Sequence, residues 1–194
     1  SSLRAGTGHA STACMDTTPR ARASVTTAGA TRFAATLAAG VGAAIVGAVV
    51  MALVLIVAFM AIERTSVVYA LRPIGTLLYG DRMLVAPTAA MYAGAAALHF
   101  GVAIAWGIVW ACMASLLRVE VSPPGALLVG VVVGLAALIV DVQVIAPAIG
   151  NARWGDDLFT STMPPAFSWL AHVAFGASFV IAPRFYRRAA LAAT

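Results

Sequence analysis

Three ionisable side chains lie inside the long apolar stretches of this sequence, namely His99, Asp141 and His172. An ionisable group inside a bilayer is costly and usually faces the bundle interior, a cavity or a partner. Two histidines on different helices at one depth could ligate a b-type haem axially. Alternatively, Asp141 could pass protons with the two histidines, because imidazole gains and loses a proton close to neutral pH. A third interpretation is structural, with each histidine hydrogen-bonded to a neighbouring helix or loop so that it fixes the bundle.

Signatures of soluble-enzyme chemistry are missing from the sequence. It contains no P-loop, no GxSxG, no HExxH and no CxxC motif. The two cysteines, Cys14 and Cys112, have no metal-ligand spacing and are expected to be free thiols. We therefore predict a protein that is not an enzyme, with no metal, and with no cofactor unless His99 and His172 hold haem b.

The elements that must position these residues are transmembrane helices. Residues 33–62 contain no charged side chain, and about 20 apolar residues suffice to cross the hydrocarbon of a bilayer. In lipid, only a helix or a closed barrel satisfies every backbone N–H and C=O group. A barrel strand alternates in polarity and ends after about 10 residues, so this stretch predicts a helix. The composition agrees, because 10% of the residues are charged against about 25% in ordinary globular domains.

The same reasoning divides the whole chain. We predict an all-α integral membrane four-helix bundle made of two helical hairpins, preceded by a polar tail rich in Arg, Ser and Ala that has no fold of its own. The third helix is expected to end before Pro147, and no helix is expected to be broken at its centre. The predicted segments are the tail at 1–32, the transmembrane domain at 33–188 with helices at about 33–62, 89–117, 124–146 and 165–183, and a C-terminal tail at 189–194.

Small residues at four-residue spacing predict where these helices touch. Helices in lipid pack through close backbone approach over small side chains, since no hydrophobic effect draws them together. Gly130 and Gly134 form a GxxxG motif in the third helix. Ala43 and Gly47 in the first helix and Gly101 in the second are the other predicted packing positions.

The distribution of charge predicts the orientation of the chain. All twelve basic residues are arginines, and the net charge is +5. Eight of these arginines lie in the two chain ends and in the turn between the second and third helices. Positive charge favours the cytoplasmic side, so both termini are predicted to be cytoplasmic, in the inner membrane of a bacterium. Arginines at helix ends suit lipid headgroups, and no nucleic-acid partner is expected.

A Gly-rich first helix and four short stretches carry a resemblance. The stretches are RPIGTLLYG at 72–80, LHFG at 98–101, VIAP at 144–147 and AHVAFG at 171–176. Over residues 33–183 the chain resembles uncharacterised bacterial four-helix inner-membrane proteins, a family of unknown function. The resemblance implies the four-helix fold, and it assigns neither an activity nor a functional residue.

Together these features favour a non-catalytic accessory subunit of a larger bacterial membrane complex, of the respiratory or photosynthetic electron-transfer kind. The missing catalytic motifs, the small-residue faces and the basic anchors at the helix ends motivate this prediction. Its partners would be membrane lipids and other membrane protein subunits. Two alternatives stay open: a haem b-binding membrane protein that uses His99 and His172, and a small transporter or proton-conducting protein centred on Asp141.

Overall fold

The structure, a computed structural model, describes the backbone of residues 19–192 and the side chains of residues 29–192. Every regular element in this part of the chain is a helix. Four helices are long and apolar enough to cross a membrane: Gly29–Ala61, Ala89–Leu117, Pro123–Trp154 and Pro165–Ala192. The chain is therefore an all-α, multi-pass membrane protein with four spanning helices, as the sequence predicts. Most of the predicted N-terminal tail, including Cys14, and the last two residues lie outside the described residues.

Short elements connect and interrupt the spanning helices. Two 3₁₀ turns cover Val67–Leu71 and Ser178–Ile181, and one π-helical segment covers Leu138–Ile145. The α-helical segments are α1 (Pro19–Ala61), α2 (Arg72–Tyr79), α3 (Arg82–Val85), α4 (Ala89–Leu117), α5 (Pro123–Ala137), α6 (Ala146–Trp154), α7 (Leu158–Thr162), α8 (Pro165–Ala177) and α9 (Ala182–Ala192). The bundle has a connector end, which carries α2, α3 and α7, and an opposite end, which carries the turn between α4 and α5.

Two helices extend beyond their predicted ends. The first begins at Pro19 and not at residue 33, because the Ala- and Arg-rich stretch before residue 33 favours a helix whether or not lipid surrounds it. The fourth spanning helix continues past residue 183 to Ala192. Pro183 is the second residue of α9, directly after a 3₁₀ turn. A proline fits the first turn of a helix, since its missing N–H would have no partner there.

The third spanning helix also continues, through Pro147 to Trp154, so the predicted end before Pro147 is wrong. The π-helical segment Leu138–Ile145 lies immediately before this proline, and the Ala146 N–H bonds to the carbonyl of Asp141, five residues back. In a regular α-helix the ring of Pro147 would clash with the carbonyl four residues earlier. The wider π turn relieves that clash, and the helix is therefore irregular at its centre where the sequence predicted regular geometry.

The bundle is organised around α1, which packs against α4, α8 and α9, while α5 packs against α8. Toward the turn between α4 and α5, the Trp110 ring stacks on Phe179 with ring centroids 5.2 Å apart. Toward the connector end, Phe59 meets Phe167 edge to face at 5.1 Å. Two buried apolar clusters therefore close the bundle, one toward each end.

Glycine allows the closest approach between the third and fourth spanning helices. A Cβ added to Gly134 would lie 2.5 Å from the carbonyl oxygen of His172 and 2.9 Å from the Cα of Gly176. Gly130 meets the same part of α8, at the carbonyl oxygen of Gly176. The predicted GxxxG positions thus lie where two backbones touch, which is how helices pack in lipid.

The other predicted packing positions divide into two groups. Ala43 is fully buried, and a Cβ on Gly47 would lie 2.9 Å from the Phe175 ring. Gly101 does not pack within the described chain, because a Cβ there would meet no heavy atom within 4 Å. Its face points outward because of the rotation of α4, so packing of Gly101 against another chain stays a prediction.

Candidate functional site

A cavity of about 170 Å³ lies inside the bundle. Its wall includes all three ionisable groups of the apolar stretches, and these come from different spanning helices. His99 belongs to α4, Asp141 to the π-helical segment and His172 to α8. The structure therefore brings together the residues that the sequence could place only at similar depth.

His99 connects the second spanning helix to the first. Its side chain is 9% exposed, and its Nε2 lies 3.0 Å from the carbonyl oxygen of Ala48 in α1. A carbonyl only accepts, so Nε2 must carry the hydrogen, and Nδ1 of the neutral ring is then an acceptor. His99 thus has a structural bond at one nitrogen and an unprotonated nitrogen at the other.

His172 is held by its own helix. Its Nδ1 donates to the carbonyl oxygen of Ser168 at 2.7 Å, and its side chain is 7% exposed. This bond fixes the ring orientation and leaves Nε2 of the neutral ring without a hydrogen. The histidine therefore lines the cavity as a hydrogen-bond acceptor.

Asp141 is fixed by a residue that the sequence analysis did not assign to the site. The indole Nε1 of Trp106 in α4 donates to Oδ2 of Asp141 at 2.8 Å, across two spanning helices. An indole N–H inside the membrane needs an acceptor, and Asp141 is the one carboxylate within the four apolar stretches. That requirement is the sequence signal from which the pair could have been found.

Apolar side chains close the connector end of the cavity. Ile74 and Leu77 of α2 and Phe159 of α7 belong to its wall. The carbonyl of Leu77 accepts a hydrogen bond from Trp154 Nε1 at 3.4 Å, at the end of α6. The Trp154 ring packs on Gly80, whose φ of 61° suits glycine. A short helix held by Trp154 therefore covers the cavity.

The cavity also reaches the side of the bundle. Val102 of α4 and Ile145 of the π-helical segment line it, and they are 37% and 43% exposed. Both lie well inside their spanning helices, so this side of the cavity wall faces lipid.

The positions of these side chains limit which metal or cofactor the site could bind. Among residues 29–192, no three His, Cys, Asp or Glu side chains come together as a metal site. Axial haem ligation would require His99 Nε2 to give up its bond to Ala48. The cavity is also smaller than the roughly 300–1,000 Å³ of typical ligand pockets. Haem b at His99 and His172 stays a prediction that would need this part of the bundle to open.

Comparison with other proteins does not assign this chain to a family. No protein-family profile, no curated protein and no solved structure matches this chain.

Proposed function

We propose that this chain is a small transporter that moves protons, with Asp141 as the group that binds and releases the proton inside the bundle. The observation that carries the proposal is the convergence of His99, Asp141 and His172 on one cavity. An ionisable residue within the membrane indicates a functional site by default. Three such residues from three spanning helices on a common wall strengthen that inference, because packing alone does not require them to meet.

The local backbone supports the choice of Asp141. π-helical turns are rare, and they occur frequently at functional sites. Asp141 lies in the middle of the π-helical segment, and its carbonyl accepts the π-type bond from Ala146. The distortion therefore sets the direction in which the carboxyl group points.

The hydrogen bonds leave each group free to exchange a proton. Ala48 O, Ser168 O and Trp106 Nε1 each hold one atom of the three side chains. The second nitrogen of each histidine and Oδ1 of Asp141 keep an open position. A proton can therefore bind without breaking the contact that orients the side chain, and the Trp106 N–H stabilises the ionised carboxylate.

The proposed setting is the inner membrane of a bacterium, with both termini in the cytoplasm. The arginines support it, because eight of twelve lie in the chain ends and the turn between α4 and α5. The connector end, where the structure places the short helices, would then face the outside.

Proton flux into liposomes tests the proposal. Purified protein is reconstituted with a pH-sensitive dye inside the vesicles, and a potassium diffusion potential with a negative interior drives protons inward. We expect acidification to fall to the rate of protein-free vesicles in Asp141→Asn. Asp81→Asn is the matched control, because Asp81 is an exposed carboxylate at the connector end, and it should keep the wild-type rate. Equal flux in wild type and Asp141→Asn overturns the proposal.

A second candidate, the accessory subunit of a larger complex, is favoured by one different observation. Small residues occupy an outward face of α4 that has no partner within the described chain. A face of this kind lets another helix approach closely in lipid. The residues are Ala93, Ala97, Gly101 and Ala105, all of them exposed.

The mass of the complex in mild detergent tests this second candidate. A co-purifying subunit that is lost in Gly101→Leu would support it. The control is Leu128→Ala, a change on an exposed position of α5 that should leave the complex intact. A wild-type protein that purifies as a monomer counts against the accessory role.

A further inference from the structure

When Asp141 is ionised, the open hydrogen-bonding atoms of the cavity are all acceptors. Nδ1 of His99 and Nε2 of His172 carry no hydrogen in the neutral rings, because the other nitrogen of each ring donates to a carbonyl. The N–H of Trp106 is already used by Asp141. Glu120 Oε2 is the one buried side-chain nitrogen or oxygen without a partner among the described residues, so the open atoms of His99, Asp141 and His172 are not fully buried. A ligand that satisfies them must bring donors.

The rest of the wall is apolar and partly aromatic. Trp106, Phe159 and Phe175 contribute rings, and aliphatic side chains fill the remainder. Aromatic faces attract a cation that lies within about 6 Å of the ring centre. The combination of a carboxyl group, acceptor nitrogens and aromatic rings is suited to an ammonium group attached to an apolar body.

The volume limits the size of that body. The cavity measures about 170 Å³, close to the roughly 150 Å³ engineered cavity that binds benzene. A single ring with one short substituent therefore matches the cavity more closely than two fused rings do.

We propose that the cavity binds a small primary amine whose apolar part is about the size of a benzene ring. The inference rests on the proposed function, because it uses the exchangeable proton of Asp141. The neutral amine uses its nitrogen lone pair to form an N–H bond to the proton of the Asp141 carboxyl group, whose O–H bond breaks. An ammonium ion and a carboxylate result, so the proton stays in the cavity and the net charge does not change.

The exposed side of the cavity wall gives such a ligand a route. A neutral amine of this size dissolves in lipid, and the wall at Val102 and Ile145 is exposed toward the hydrocarbon. The ligand can therefore reach Asp141 uncharged and acquire its charge only where the carboxylate and Trp106 stabilise it. The charged form never has to cross lipid alone, which would be costly.

Isothermal titration calorimetry in detergent tests the site with benzylamine as the probe. We expect saturable binding of one benzylamine per chain. Benzyl alcohol is the matched ligand control, because it has the same shape and no basic nitrogen, and it should bind at least about tenfold more weakly. Asp141→Asn should weaken benzylamine binding by a similar factor, and 1-naphthylmethylamine should bind the wild type more weakly than benzylamine.

A second variant keeps the test decisive if Asp141→Asn folds poorly. Ala103 is 5% exposed and lines the cavity, so Ala103→Leu fills the space without changing a polar group. It should abolish benzylamine binding. Ala105→Leu is its control, because Ala105 lies on the outward face of the same helix and should bind like the wild type. Thermal melting of each variant checks that it is folded.

The outcomes separate this inference from the proposed function. No saturable binding of benzylamine to the wild type, or equal binding to Ala103→Leu, overturns the amine site whatever the liposomes show. Asp141-dependent binding in a protein that moves no protons keeps the amine site and overturns proton transport.

Discussion

Oε1 of Glu120 lies 2.7 Å from Nε of Arg32, which donates a hydrogen bond to it, and 2.5 Å from Nη2 of the same side chain. The Glu120 side chain is fully buried, half of the Arg32 side chain is exposed, and Oε2 has no hydrogen-bond partner. The pair joins α1 to the turn between α4 and α5. The first spanning helix is therefore linked to the turn between the second and third at the end of the bundle opposite the connectors.

Removing Arg32 should destabilise the bundle, because it leaves a buried carboxylate without its cation. We expect Arg32→Ala to unfold more easily than the wild type, seen as a lower melting temperature in mild detergent. The double variant Arg32→Ala with Glu120→Gln should recover at least half of the loss, since the uncompensated charge is gone. A double variant as unstable as the single one would show that the charge is not the cause.

Helix packing at the GxxxG motif can be tested with two alanines. Gly134→Ala places a Cβ against the backbone of α8, and overpacking of this kind costs about 1–3 kcal/mol. Gly101→Ala is the matched control, because its Cβ meets open space and alanine favours a helix more than glycine does. The melting temperature should fall in the first variant and stay level or rise in the second. A fall of equal size in both would contradict the described packing.

Pro147 should matter for the site more than for stability. Pro147→Ala restores a backbone N–H and removes the ring that disfavours a regular α-helix, so the π-helical segment can convert and turn Asp141 away from Trp106. We expect proton flux and benzylamine binding to fall several-fold while the melting temperature does not decrease. Pro165→Ala, in the first turn of α8, is the control that should leave both activities unchanged. Wild-type flux and binding in Pro147→Ala would show that the π turn does not position the carboxyl group.

Cysteine labelling tests the orientation of the chain. In a background with Cys14→Ser and Cys112→Ser, Asp157→Cys should react with a membrane-impermeant maleimide added to intact cells. Arg188→Cys should react only after the membrane is opened, because the arginine-rich ends are proposed to be cytoplasmic. Cys112, which is exposed on the side of α4, should resist the aqueous reagent when it is the one cysteine present. Labelling of Asp157→Cys and Arg188→Cys from one side would exclude a four-crossing topology.

An optical spectrum tests the haem prediction. After haemin is added to the purified protein, we expect no Soret band that depends on both histidines, because His99 Nε2 is bound to Ala48. The comparison is the double variant His99→Ala with His172→Ala, which should give the same spectrum as the wild type. A band present in the wild type and absent from the double variant would restore haem b as the ligand.

Much of the architecture can be predicted from the sequence. The four spanning stretches are visible because a fixed hydrocarbon thickness demands a minimum number of apolar residues. Gly130 and Gly134 are identified for a similar reason, since only small residues let backbones touch in lipid. The predicted helix ends are less accurate: the sequence shows where polarity changes, and helices such as α1 and α9 continue beyond that point.

The site was only partly predictable. His99, Asp141 and His172 stand out because charge is costly in lipid, but their spacing does not say which faces turn inward. Gly101 was assigned to a contact, yet it lies on the outside. Trp106 looked like one more apolar residue, and the structure places its N–H on Asp141.

By itself, the sequence determined that this chain crosses a membrane four times and that three ionisable groups lie within it, because both facts follow from local composition and a fixed bilayer thickness. Only the tertiary structure decided that these groups share one cavity, that Trp106 holds Asp141 and that the third helix widens before Pro147. The rotation of each helix about its axis depends on how all four side-chain surfaces fit together. No single stretch of residues contains that information.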